Sequence, residues 1–229
     1  MPKQTGNMYK WITDSFNPIG GKCPHKCKYC YAQNFQFPSL KEKYSGLPRL
    51  YENELKRNLG KDKFWFVGSC FDVWADDIPV SWISKTLRHC SEYPENKYLF
   101  QTKNPERIYR YRVSLPEKSI IGTTVESNRW YKEMGNAPHP IVRASVLALK
   151  QIRMFETMLT IEPIMDFDID FMVEMVKAVN PNWVNIGANT NPKVKLQEPS
   201  SDKIDELIAK LKEITEVKIK PNLKRLMPK

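Results

Sequence analysis

Phe64-Trp65-Phe66-Val67-Gly68, then Pro79-Val80-Ser81-Trp82-Ile83 running on to Cys90, then Lys97-Tyr98-Leu99-Phe100-Gln101: this succession decides the fold. The first and last pieces are short, rich in aromatic or β-branched residues, and bounded by Gly, Pro, Asn or charge, which reads as buried strand. The middle piece enters after a proline and is apolar on one side, which reads as helix. The same strand signature recurs at 119–125, 158–161 and 182–186, with a weaker first strand near Tyr9–Thr13 and a basic edge strand near Val217–Ile219. Helical patterns lie at Leu50–Leu59, Val80–Cys90, Glu106–Arg112, Ile141–Ile152, Phe167–Val179 and Asp202–Ile214. Strand and helix thus alternate about six times. Such alternation predicts an α/β fold with parallel strands, right-handed crossovers and outer helices. Six units fall short of the eight of a closed barrel, so a partial (β/α)6 barrel or a doubly wound sheet fits. No linker-like stretch divides residues 1–229, which read as one domain ending in a basic segment, 217–229.

Composition narrows the class. The 229 residues hold 36 Lys and Arg against 26 Asp and Glu, a net +10, with 41% hydrophobic and 27% charged residues. These proportions are those of a chain with a sizeable core. No apolar run approaches the ~18 residues of a membrane span. Residues 1–7 have no apolar region of the kind that signals secretion. The charge is uneven: +7 over residues 1–63, −1 over 64–192, and +4 over 193–229. From Val217 to Lys229 there are five basic residues and no acid. Clustered Lys and Arg attract phosphates, so an anionic substrate or nucleic acid is an expected partner, against the alternative of ordinary solvated lysines. Of the basic tail, Lys220, Lys224 and Arg225 are the expected contacts.

Five cysteines, three of them within residues 23–30, suggest metal binding in a reducing, cytoplasmic compartment. The segment Gly20-Gly21-Lys22-Cys23-Pro24-His25-Lys26-Cys27-Lys28-Tyr29-Cys30 has the spacing C-x3-C-x2-C, with an aromatic before the third Cys. Three thiolates can hold three irons of a 4Fe–4S cluster and leave the fourth open to a ligand. Gly20 and Gly21 supply backbone freedom for the wrap, and Lys22, Lys26 and Lys28 are expected to lower the thiolate pKa values.

This loop resembles that of the radical S-adenosylmethionine (radical SAM) superfamily. Residues 66–72, 101–107, 122–127 and 159–163 look like the strand-end segments of a small, partly phage-encoded branch of it. The resemblance implies a partial (β/α)6 barrel in which Cys23, Cys27 and Cys30 bind a 4Fe–4S cluster. It implies that SAM chelates the open iron and that a reduced flavodoxin- or ferredoxin-type donor supplies the electron. SAM would then yield a 5′-deoxyadenosyl radical for hydrogen abstraction. In related enzymes a Gly-Gly-Glu segment after the second strand meets the SAM amino group. Gly68-Ser69-Cys70-Phe71-Asp72 stands there instead, making Ser69 or Asp72 the candidate. Glu126 and Ser127 are candidates for ribose or methionine, Tyr29 for adenine, and Glu162 joins them as a cofactor-binding residue at a strand end.

Each has a plainer alternative. Asp72 and Asp76 can cap the turn before Pro79, Glu126 can pair with Arg129, and Glu162 can pair with a Lys. Cys70 can return a hydrogen atom to a product radical, or be a small buried residue. His25, His89 and His139 read as exposed, Cys90 as core. Two other functions compete: a zinc site of Cys23, His25, Cys27 and Cys30 in a basic nucleic-acid-binding protein, and an electron-carrying iron–sulfur protein, which would ordinarily supply four Cys.

Overall fold

The structure is a computed structural model that describes residues 7–149 and 154–227. Seven parallel strands make one sheet in the order β1 (Asp14–Phe16), β4 (Phe64–Val67), β5 (Lys97–Thr102), β6 (Ser119–Thr124), β7 (Glu156–Ile161), β8 (Trp183–Ile186) and β9 (Glu216–Ile219). Each strand neighbours the next in the chain order just given, and the sheet stays open: a partial barrel. The helices are α1 (Pro38–Lys43), α2 (Val80–Ser91), α3 (Pro105–Arg110), α4 (Pro140–Leu149), α5 (Ile169–Val179) and α6 (Ser201–Lys212). A small antiparallel pair, β2 (Ile19–Gly20) with β3 (Arg49–Leu50), lies outside the main sheet. Among the described residues no helix is long and apolar enough to cross a membrane.

Alternation of side chains explains the layering. Trp65, Val67, Tyr98, Phe100, Ile121, Leu159, Ile161, Val184 and Ile186 join the helices in the larger core. Leu99, Ile120, Met158 and Trp183 point to the opposite face, where they meet Tyr9 and Ile12. Here the expected first strand is corrected. Tyr9 and Trp11 are not paired in the sheet; β1 begins at Asp14. Their rings pack instead on the inner face, Trp11 4.5 Å from Phe64 and 5.8 Å from Trp183 between centroids. Burial of two large rings against aromatic strand residues outweighs a ladder that only three residues, Asp14–Phe16, complete.

The helix expected at Leu50–Leu59 is only a 3-10 turn, Glu54–Lys56. Its apolar residues Leu50, Leu55 and Leu59 are spaced five and four apart, too loosely for one helical stripe. The helix expected over 141–152 is described to Leu149, and residues 150–152 lie outside the described residues. α5 starts at Ile169 and not at Phe167, with Asp168 extended ahead of it. α6 starts where the Ser200 side chain accepts from the Lys203 N–H.

Candidate active site

Above the inner aromatic layer, at the C-terminal ends of the strands, lies a cavity of about 1150 Å³. Its floor is set by Tyr9, whose hydroxyl lies 2.8 Å from both Gln101 Oε1 and Thr160 Oγ1. All three loop cysteines line it, and so do Tyr29, Ser69, Cys70, Asp72 and Glu162. Parallel strands feeding one mouth bring together residues far apart in the chain, as the alternation predicts.

The cysteine loop is held from two sides. Asp72, 10% exposed at its side chain, accepts from His25 Nε2 at 2.9 Å, from the Thr102 hydroxyl at 2.8 Å, from the Lys103 N–H at 2.8 Å and from the Trp74 N–H at 3.0 Å. Burial alone would raise this carboxyl, but the His25 charge and these bonds outweigh it and hold it below the usual range. Both oxygens are therefore spent on pinning the loop to the ends of β4 and β5. Asp72, expected with Ser69 as a candidate for the amino group, thus lines the cavity with both oxygens engaged in holding the loop. The expectation that the histidines are exposed is corrected: His25 and His89 are buried and His139 is half-buried.

On the other side, residues 133–136 staple the loop. Lys28 N–H donates to Glu133 O at 2.9 Å, and Asn136 N–H donates to His25 O at 2.7 Å. Gly135 makes this approach possible: its φ is +65°, and a Cβ there would sit 2.3 Å from His25 O and 2.7 Å from Lys26 O. Gly135→Ala is expected to displace the turn that carries the cysteines and to lower stability by about 1–2 kcal/mol from the positive φ alone. Thermal unfolding and iron per chain after reconstitution check it; a variant that matches the wild type in both contradicts this account.

Behind the cavity wall Glu126, fully buried, bonds Lys103 Nζ and the Tyr29 hydroxyl, and pairs with Arg143 at 2.9 Å. Burial would raise its carboxyl, but Arg143 and Lys103 outweigh burial and hold it at about 2. Ser127 is also fully buried and donates to Asp166 O at 2.6 Å. Neither residue lines the cavity, so the expected ribose or methionine contacts from Glu126 and Ser127 are corrected: their polar atoms are already committed to the protein. The pairing expected between Glu126 and Arg129 is not made; Arg129 holds Asp166 and Asp168. Arg143 is the residue sequence reasoning missed. Its one signal is a charge set among Ile141, Val142 and Ala144 on a helix.

Glu162 lines the cavity and pairs with Lys220 at 2.5 Å, while Asn222 donates to it at 2.8 Å. Arg225 is paired with Glu198, and Lys218 with Glu216 at 3.3 Å. Of the tail residues expected to meet an anion, Lys220 and Arg225 thus carry carboxylate partners, and Lys220 lines the cavity. Ser69 sits where the Asn17 side chain donates to its hydroxyl at 3.1 Å and accepts from the Cys70 N–H at 3.1 Å. Cys70 is half-buried, with the Tyr31 hydroxyl 3.5 Å from its sulfur. Trp74 is core, whereas Trp130 is 52% exposed.

The three loop cysteines are unpaired thiols. Burial pushes Cys23 up to about 12 and Cys30 up to about 11, and it raises Cys27 against the opposing charge of Lys103. The expected lowering by Lys22, Lys26 and Lys28 is corrected: these lysines are exposed, and burial of the thiols dominates. Desolvated thiols facing a cavity ionise readily only when a metal takes the sulfur charge. Three thiols on one short loop facing a cavity are a donor set that suits a cluster anchored at three corners. Among the described residues no group of three His, Cys, Asp or Glu stands together to hold a metal ion, and His25 is engaged with Asp72 and so is no fourth ligand.

Fold and site together define an α/β partial barrel with a thiol-lined cavity at its strand ends. Residues 7–206 match the family model described as "Protein of unknown function (DUF5131)", and the chain belongs to that family. No protein of curated function matches it. Among solved structures it is similar to spore photoproduct lyase. A cysteine-to-alanine form gives a TM-score of 0.60 at 10% identity, covering 88% of this chain and 74% of that one. A cysteine-to-serine form gives 0.59 at 9%, covering 90% and 75%. A doubly substituted form with bound AdoMet and dinucleoside spore photoproduct gives 0.51 at 10%, covering 87% and 61%. The likeness is one of fold.

Proposed function

We propose that this protein is a radical SAM enzyme. The observation that carries the proposal is the opening of Cys23, Cys27 and Cys30, spaced C-x3-C-x2-C, onto one large cavity at the C-terminal ends of a parallel partial barrel. The similar fold of a protein solved with bound AdoMet supports it. The cluster would be held by those three cysteines; with SAM bound and an electron from a reduced flavodoxin- or ferredoxin-type donor, it supplies a 5′-deoxyadenosyl radical. The chain's own residues do the rest. His25 and Asp72 orient the loop. Ser69, at the end of β4, offers its hydroxyl to the SAM amino group, and Tyr29 lies against the adenine side. The Tyr9 layer closes the floor to water. Glu162, held by Lys220 and Asn222, presents a fixed carboxylate to the cavity.

Cys70, which lines the cavity, is the candidate donor of a hydrogen atom to a carbon radical there; the S–H bond breaks as the C–H bond forms, and the resulting thiyl radical returns to thiol with an electron from the reduced donor and a proton. Cys70→Ala is expected to keep forming 5′-deoxyadenosine while losing product, by at least about tenfold in the ratio of the two. Equal ratios in variant and wild type would remove that role. The reaction is tested by reducing anaerobically purified protein with dithionite in the presence of SAM and measuring 5′-deoxyadenosine. A colourless protein with one tightly held zinc and no 5′-deoxyadenosine overturns the proposal.

A further inference from the structure

Residues 17–49 hold six Lys and Arg against one Glu, a net +5, half the charge of the whole chain. They comprise the cysteine loop, α1 and the β2–β3 pair, and they wall one side of the cavity mouth. Five lysines line the cavity: Lys22, Lys26, Lys41, Lys103 and Lys220. The last two are paired with Glu126 and Glu162. Lys22, Lys26 and Lys41 are exposed, and among the described residues no carboxylate pairs with them. The two carboxylates that line the cavity, Asp72 and Glu162, are already engaged. Three uncompensated positive charges at a concave mouth focus an attractive field on an anion. The same wall exposes rings, Tyr31 at 45% and Phe37 at 70%.

We propose that the 17–49 wall binds single-stranded nucleic acid, with phosphates on Lys22, Lys26 and Lys41, bases stacked on Tyr31 or Phe37, and one nucleotide turned into the cavity. Free cations interleaved with exposed rings are what a strand uses, since each base has a face to stack and each phosphate a charge to neutralise. The cavity lies inside the barrel mouth, so a base must leave any duplex to reach it. A lipid surface would meet only the outermost of these groups. This deepens the proposed function by naming a substrate class, and it rests on that reading only for the chemistry inside the cavity.

The test uses cluster-loaded full-length protein and a fluorescein-labelled oligothymidine, with anisotropy measured across a salt series. Wild-type affinity should fall steeply with salt. K22E/K26E/K41E should weaken binding at least ~tenfold and flatten the log–log salt slope by about 2, at ~0.7 per single-strand phosphate contact. Phe37→Ala with Tyr31→Ala should weaken binding about fivefold or more with the slope unchanged. K97E/K177E/K212E, the same charge change at the opposite end of the barrel, where β5 begins and α5 and α6 end, should stay within about twofold of wild type. The proposal is overturned if the first variant binds like wild type or the third weakens as much. It is equally overturned if matched duplex or phosphatidylserine vesicles bind more tightly than the strand. Iron, sulfide and 5′-deoxyadenosine measured on the same samples report the proposed function separately. Colourless protein that still binds the strand ends the radical reading and leaves this one. Brown, SAM-cleaving protein that ignores the strand does the reverse.

Discussion

Replacing Cys23, Cys27 or Cys30 by Ala is expected to give protein without the brown colour and ~400 nm absorbance of an iron–sulfur cluster, and with no measurable 5′-deoxyadenosine. The effect should be all-or-none because three ligands are the whole protein contribution. Losing one leaves two corners, and no other cysteine sits on the loop to replace it. Cys70 lies on a different wall, at the end of β4, and Cys90 is fully buried in α2. The loop itself should survive the substitution. Its shape depends on His25–Asp72, on the 133–136 staple and on the Tyr29–Glu126 bond, none of which uses a cysteine sulfur. Thermal unfolding of the metal-free variants should therefore match that of metal-free wild type. Full turnover in any one of the three would refute the cluster assignment.

Glu126→Gln is expected to cost about 3–5 kcal/mol of folding stability, the loss found when one partner of a buried ion pair is removed. Arg143 is fully buried, and Lys103 is 16% exposed at its side chain. Without the carboxylate, two cations face each other across a dry wall. The pH dependence carries a sign. The Glu126 carboxyl is held at about 2 in the folded protein, below its ordinary 4.5. Its stabilisation is therefore fully present above about pH 4.5 and lost as pH falls through about 2. Urea unfolding from pH 5 downward should show wild type losing more stability than Glu126→Gln, other carboxylates being common to both. Parallel curves would mean the pair contributes nothing. The variant should also loosen Tyr29, whose hydroxyl exchanges a charged acceptor for a weaker amide oxygen.

The cysteine spacing and the strand–helix alternation were legible because both are local. Three thiols three and four residues apart on one loop are read from spacing alone, whatever the rest of the chain does. A parallel strand covered by helices reads as a short apolar run wherever it occurs, so the five central strands stood out. The first strand was misplaced for a physical reason. Tyr9 and Trp11 look like strand residues, but their rings fill the inner face while Asp14-Ser15-Phe16 pairs with β4.

Which polar residue meets the cavity was decided only by the tertiary structure. Glu126 and Glu162 both follow strands and read alike in the sequence. One is sealed behind the wall by Arg143 and Lys103; the other faces the cavity and is matched by Lys220, 58 residues away. Asp72 is consumed by His25, 47 residues before it. Free charge is what remains after such distant pairings: Lys218, Lys220 and Arg225 of the basic tail have carboxylate partners, while Lys22, Lys26 and Lys41 on the cysteine wall have none among the described residues. Composition counts charges; only the folded chain shows which of them have already found a partner.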